Sequence, residues 1–431
     1  MVRAAPLTPR YEAVPYWWGD VELPQPAPSP LPGTADVVVV GGGYTGLAAA
    51  LEISRGGRHV VVLERDDIGA GASSRNGGMA HPGGKRDVSE FLAEPHGRRL
   101  WDETVDAFEG VGALAAELGI EFDWQRCGHV ELAHHPRVAA AQRVVADAYA
   151  SVGEEARLLT RADLAGEIGS DRFCGGLLVE RSAGLHPAKL VAALTRAAAA
   201  AGAGLHGATT VLALERRGQD FEIETSRGAL RSHEVVVATN GTTDRRLVRW
   251  LGRRILPVGS YMIATEVLEP DVAASVNPHG RMFFDTRNLL HYWRLSPEGG
   301  RVLFGGRTSL APTTVERSRD LLYAAMVAIH PQLAGVRVER AWGGQVALTA
   351  DRFPHVGRHP GSGVVYAMGY CGSGVALSVH FGRAVGRWLC GRGDLPAFAA
   401  RSWGAVPWPA QVPSLLAVGG VGFRVRDALG R

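Results

Sequence analysis

The sequence predicts an α/β fold: a parallel-sheet domain assembled from separated stretches of chain, with an α+β domain on a mostly antiparallel sheet inserted between them. Three observations predict it. A β-branched run from Ala35 to Val40 leads into Gly41, Gly43 and Gly46 and then an alanine-rich helical pattern. A second strand–glycine–helix unit, Val364 to about Leu389, stands near the other end of the chain. Between them, Ile255 to about Ala341 is rich in strand-like segments. The 431 residues, 46% of them hydrophobic, can bury a large core and support two domains.

The elements follow in order. Residues 1–34 are proline-rich and carry Tyr16-Trp17-Trp18; they read as a largely irregular arm whose aromatics pack on the body. Ala35–Val40 reads as a buried parallel strand. Gly41, Gly43 and Gly46 fit G-x-G-x-x-G, which permits a tight turn, close approach of a pyrophosphate, and packing of the next helix on the strand. That helix spans about Tyr44 to Arg55 and stops near Gly56-Gly57. Its first amides, from Tyr44 and Thr45, are placed to hold phosphates. His59–Leu63 is the second strand, ending at Glu64 with Arg65 beside it; Glu64 suits a ribose hydroxyl. This sequence of parts reads as a Rossmann-like dinucleotide site.

Helices are expected over about 98–120, 138–149 and 162–168, with strands in 121–134, at Gly175–Glu180 and at Gly207–Glu215. His186-Pro187 starts a long helix. Leu289–Arg307 reads as two strands joined by a Pro-Glu-Gly-Gly turn. Alternate side chains of such a sheet would face a pocket, and Tyr261, His291, Trp293 and Arg307 are the candidates, with Gln345 and Cys371 from later segments.

Charge excludes some functions. Charged residues make up 21% and the net charge is +3, which suggests neither a nucleic-acid groove nor a membrane-binding face. Of the 46 basic residues only Lys85 and Lys189 are lysines. The four cysteines form no C-x-x-C pair, so neither a metal site nor a disulfide framework is expected. No apolar run is long enough to span a bilayer and no leader pattern opens the chain, so a cytoplasmic protein is expected.

GGGYTGLAAAL, GASSRNGG, LPVGSYMIATE, VLFGGR, WGGQVALTADRFPHVG and VVYAMGYCGSGVALS together resemble the FAD-dependent oxidoreductases of the D-amino-acid oxidase/glycine oxidase superfamily, closest to the branch like γ-glutamylputrescine oxidase. The resemblance covers nearly the whole chain. It implies a GR2-type FAD domain from residues 35–95, 183–250 and 345–395, a substrate domain from 96–182 and 251–344, and a tail at 396–431. It implies FAD contacts from Ser73, Ser74, Arg75, Asn76, Gly77 and Gly78 in the loop after Glu64, and from Val211, Thr239, Gly241 and Gly344. Gly369, Gly372, Ser373, Gly374 and Val375 in the last glycine turn complete the set.

Departures from the family pattern carry their own expectations. Relatives that link FAD to a cysteine do so near the position of Gly344, where no cysteine stands, so the FAD should be non-covalent. The lysine that binds a substrate carboxylate in some relatives is replaced at about Ala376. With Lys85 and Lys189 both outside Ile255–Ala341, a lysine over the flavin that activates oxygen is not expected. Cys371 is either a reactive thiol lowered by a helix N-terminus or a small packed residue. The implied activity is oxidation of an amine or amino acid to an imine by hydride transfer to flavin N5, followed by hydrolysis, with O2 or another acceptor reoxidising the flavin. A monooxygenase or halogenase, and a flavin-binding subunit without turnover, are the alternatives.

Overall fold

A computed structural model describes residues 4–26, 29–307, 309–407, 419, 420, 422, 423, 426, 427 and 429. Two large sheets organise them. In the first, the strands run in the order Gly204–His206, Val60–Leu63, Thr34–Val40, Gly228–Val237, Asp220–Thr225 and Val211–Arg217. Val365–Met368 also pairs in parallel with Gly228–Val237 and antiparallel with His355–Arg358. Val37 lies opposite Val60, and Val40 opposite Leu63. Val37, Val38, Val39 and Val60 to Val62 are all fully buried, as expected of parallel strands covered on both faces. One face packs on helices α1 (Tyr44–Arg55), α2 (Pro187–Ala200) and α3 (Val375–Leu389). The other packs on Phe221, Ile223, Leu230 and Leu251.

α1 and α3 cross closely because α3 presents glycines to α1. A Cβ on Gly382 would come within 2.3 Å of Thr45 O, and one on Gly386 within 2.6 Å of Ala49 O. That contact brings the N-terminal ends of both helices to one cleft, where the two glycine turns meet.

The second sheet has nine strands in the order Leu7–Glu12, Val338–Leu348, Leu256–Thr265, Val302–Gly306, His291–Leu295, Met282–Asp285, His129–Leu132, Gly175–Val179 and Ala156–Thr160. Most of its pairings are antiparallel; Leu7–Glu12 with Val338–Leu348 and Met282–Asp285 with His129–Leu132 are parallel. Its far face buries Trp293, Phe283, Phe304 and Leu322.

The structure revises several expectations. The arm is not wholly irregular: Leu7–Glu12 forms the edge strand of the large sheet. Its Pro9 is tolerated because only one side of an edge strand must pair. The strand expected from Gly207 starts at Val211, because Ala208 sits at φ +48° and its N–H donates to Asp66 O (2.9 Å) in a turn. The helix expected to Ile168 is the single turn Arg161–Leu164. Residues 408–418, and much of the tail beyond, lie outside the described residues.

Candidate active site

Two cavities meet between the sheets. The first, about 260 Å³, runs along the glycine turns. Gly41 stands at φ +111°, and a Cβ there would meet Ala238 O at 2.9 Å, so only glycine fits. Gly43 precedes α1, and a Cβ on it would meet Ser73 Oγ at 2.7 Å. Ser73 Oγ accepts from Tyr44 N (2.9 Å), tying the loop after Glu64 to the first turn of α1. Glu64 accepts from Gly42 N (2.7 Å) and Asp66 N (3.1 Å), so its carboxylate stands at the cavity rim in a set orientation. Thr45 Oγ1 and Tyr370 OH lie 2.8 Å apart and join α1 to the C-terminal turn.

The first cavity is lined by Gly41, Gly43, Tyr44, Thr45, Glu64, Arg65, Ser73, Asn76, Val211, Thr239, Gly241, Gln345, Gly372, Gly374 and Val375, among others. The second, about 410 Å³, is lined by Arg75, Asn76, Gly77, Arg307, Gly344, Gln345, Cys371, Gly372, Ser373 and Val375 of the expected set. Ala72, Asn76, Gln345, Val346, Gly372 and Val375 line both. The two spaces are therefore contiguous, and the N-terminus of α3 opens at their common wall.

Other expected residues lie elsewhere. Gly46 packs α1 against its strand: a Cβ would fall 1.9 Å from Gly41 O. Ser74 is fully buried, donating to Gly69 O (2.7 Å) and accepting from Trp18 Nε1 (3.1 Å), so its hydroxyl is spent on the loop itself. Gly78, at φ +65°, turns its carbonyl to Arg294 Nη1 (2.6 Å). Gly369, at φ +83°, donates to Asn240 Oδ1 (3.0 Å).

Trp293 and His291 face away from the cavity. Trp293 is fully buried against Phe283 and Phe304, and His291 pairs with Asp285 (3.1 Å). Tyr261 also points away, donating to Thr313 O (2.8 Å). The strands were read with the correct period and the opposite phase. Tyr292, Ser260 and Met262 line the cavity instead. The Tyr292 ring lies over Gly305, where a Cβ would sit 2.4 Å from it, and its hydroxyl is 3.1 Å from Ser260 Oγ. A glycine inside a strand, as at Gly305, is the local signal that could have pointed to this contact.

The Tyr16–Trp18 turn also reaches the site. Trp17, fully buried, donates from Nε1 to Asn76 O (2.7 Å), and the Arg75 guanidinium lies 4.6 Å from the Trp18 ring centre. Trp342 Nε1 donates to Arg75 O (2.8 Å). Three tryptophans thus hold the loop 74–76 in place from outside the cavities.

Charge in the second cavity is unusual. Lys85 lines it; the loop 81–87 carries it in from a part of the chain far from Ile255–Ala341. Burial, with Arg307 and Arg352 nearby, lowers the Lys85 ammonium to about 8. Glu131 lines the same space, and burial, with Asp87 nearby, raises it to about 7. His129 is fully enclosed, stacks on Phe284 at 4.6 Å, and is held neutral by burial. Arg307 donates to Cys371 O (3.2 Å).

Cys371 is brought beside the segment of Gly344 after all: its N–H donates to Ala347 O (3.0 Å). Its sulfur contacts Thr349 Oγ1 (3.3 Å) and Gly369 O (3.3 Å), and burial raises the thiol. A lowered, reactive thiolate is not what this surrounding produces. Among the described residues no group of metal-ligating side chains occurs, and no helix is long and apolar enough to cross a membrane.

Comparison with known proteins agrees with this geometry. The family model described as FAD dependent oxidoreductase (DAO) matches residues 36–388. The chain is 32% identical over 365 residues to the probable oxidoreductase OrdL of Haemophilus influenzae, covering 83% of each protein. It is 30% identical over 411 residues to the γ-glutamylputrescine oxidoreductase of Escherichia coli, covering 92% of this chain and 94% of that one. The glycine oxidase structure from Geobacillus kaustophilus superposes with a TM-score of 0.73 at 23% identity, over 86% of this chain and 100% of that one.

Proposed function

We propose that this chain, which belongs to the DAO family of FAD-dependent oxidoreductases, oxidises the carbon–nitrogen bond of a small amine or amino acid to an imine. A γ-glutamylputrescine oxidoreductase and a glycine oxidase among its relatives support that substrate range. The observation that carries the proposal is the common wall of the two cavities, which joins a cleft lined by both glycine turns to a chamber lined by charged side chains.

FAD fits the first cavity. Gly41 and Gly43 line it, and α1 begins there. Gly43, Tyr44 and Thr45, with Ser73, would hold the diphosphate; Glu64 would take a ribose hydroxyl; Val211 would border the adenine. Asn76, Gln345, Gly372 and Val375 would border the ring. We read 35–95, 183–250 and 345–395 as the FAD domain, and 96–182 and 251–344 as the inserted substrate domain. The raised Cys371 thiol supports non-covalent binding.

When bound, FAD supplies the two-electron acceptor, at N5. The residues of the chain do the rest. Tyr292, Met262 and Arg307 line the chamber and would shape it around a substrate. The N-terminal end of α3, at the common wall, would put its positive dipole beside a bound ring and favour the ring's reduced, negatively charged form. The substrate loses a hydride from carbon and a proton from nitrogen, and water then hydrolyses the imine to a carbonyl compound and an amine or ammonia. No side chain needs to act as a dedicated base, since the amine can bind neutral.

The test is an anaerobic titration of the purified holoenzyme with a panel of amines and amino acids. Loss of the flavin band near ~450 nm with a member of the panel is the expected result, and readmitted air then separates oxidase from dehydrogenase. A flavin that no member reduces would refute the proposal.

A further inference from the structure

The last described residues of the chain return to the wall of the second cavity. The loop Thr286–Leu290 joins the strands Met282–Asp285 and His291–Leu295, and Thr286, Arg287 and Leu290 line that cavity. The sheet holds both ends of the loop: Thr286 N–H donates to Leu132 O (3.1 Å), and Arg307 N–H donates to Leu290 O (3.4 Å). The Arg287 side chain pairs with Asp285.

The middle of the loop meets the tail. Asn288 donates to Asp427 Oδ1 twice, from its main-chain N–H (2.9 Å) and from Nδ2 (2.6 Å). A second bridge runs through His134, two residues beyond the strand His129–Leu132. Its Nε2 donates to Asp427 O (3.1 Å), and its Nδ1 lies 2.7 Å from Thr286 Oγ1. Arg137 reaches Leu429 O (3.5 Å) beside them. A Cβ on Gly419 would stand 3.8 Å from Leu310, three residues beyond Arg307, so the tail also passes the next segment of the cavity wall.

Hydrogen bonds to a carboxylate are about twice as strong as those between neutral groups, and Asp427 spends one oxygen on two donors of a single loop residue. Asn288 stands between Arg287 and Leu290, so a displacement of Asn288 carries lining residues with it. Asp427 is 139 positions away in sequence, and no part of the loop itself supplies this anchor. Segments tied only at their ends open locally at low cost, and a tie at the middle raises that cost.

We propose that Asp427 is a positioning residue of the chamber: through Asn288 and His134 it clamps the loop Thr286–Leu290 and closes that side of the second cavity to solutes from the solvent.

D427A and D427N in the full-length holoenzyme test it with two readouts. Trypsin cleavage after Arg287, followed by mass spectrometry, measures how often the loop opens. Acrylamide quenching of the flavin emission measures access through the chamber to the common wall. D427A should speed the cleavage roughly tenfold or more and raise the quenching constant about twofold or more. D427N keeps an oxygen that accepts both bonds from Asn288, so its cleavage should stay within about threefold of the wild type. H134A, which leaves Asp427 on Asn288, should fall between the two. Melting temperatures near that of the wild type show that the variants fold. D427A cleaved and quenched like the wild type overturns the clamp, and so does D427N opening as far as D427A. Faster cleavage in D427A without greater quenching shows a tethered loop that does not close the chamber, and overturns the proposal as well. Neither readout needs an amine to react, so failure of the amine-oxidation reading leaves this test intact.

Discussion

Replacing Trp17 with phenylalanine should weaken cofactor retention, although Trp17 lies outside both cavities. Its indole N–H is the donor to Asn76 O, and Asn76 lines both cavities. Phenylalanine cannot donate, so a part-buried carbonyl loses its partner at a cost of about 1–3 kcal/mol. The smaller ring also leaves space beside His186, whose ring centre is 4.9 Å away, and beside Tyr16 at 5.2 Å, adding about 1 kcal/mol. The packing loss falls on apo and holo protein alike. The hydrogen-bond loss falls on the loop that borders the proposed ring site, so it should appear in FAD binding. At about 1.4 kcal/mol per tenfold, it corresponds to a rise of roughly 5- to 150-fold in the FAD dissociation constant. The assay is a fluorescence titration of deflavinated protein with FAD, beside melting curves of both forms. A variant whose apo and holo forms lose equal stability while FAD affinity stays within about twofold of wild type would refute the reasoning.

Further outcomes follow from other contacts. Gly46→Ala forces a Cβ to within 1.9 Å of Gly41 O, a backbone atom that cannot swing aside, so α1 must move off its strand; scanning calorimetry should show a loss of about 2 kcal/mol or more, with lower FAD content. Cys371→Ala should leave flavin that is released into the supernatant on acid precipitation, as in the wild type; flavin retained by the wild-type pellet and released by the variant would show a covalent link. Tyr292→Ala removes the ring over Gly305 and should raise the half-saturating amine concentration roughly tenfold in anaerobic reduction.

The sequence by itself determined the dinucleotide cradle, because its parts are local. A strand, three spaced glycines, a helix and an acid obey steric rules that act within about thirty residues of chain, and Gly41, Gly43, Thr45 and Glu64 all line one cavity. The last glycine turn was legible for the same reason. The large sheet was readable as strands, yet which face met the cavity was not: His291-Tyr292-Trp293-Arg294 puts aromatic residues on both faces, so alternation specified the period and left the phase open. Tertiary packing chose Tyr292, by setting Gly305 and Gly77 against its ring.

Tertiary structure alone decided the chamber's charge. Lys85 arrives on a loop, Glu131 on a strand and Arg307 at the end of another, and no local rule relates them. It likewise decided the part played by the arm, whose Trp17 meets Asn76 across 59 positions of sequence. Contacts of that separation depend on how whole sheets and helices pack, and the burial that tunes Lys85 and Glu131 exists only once they have done so.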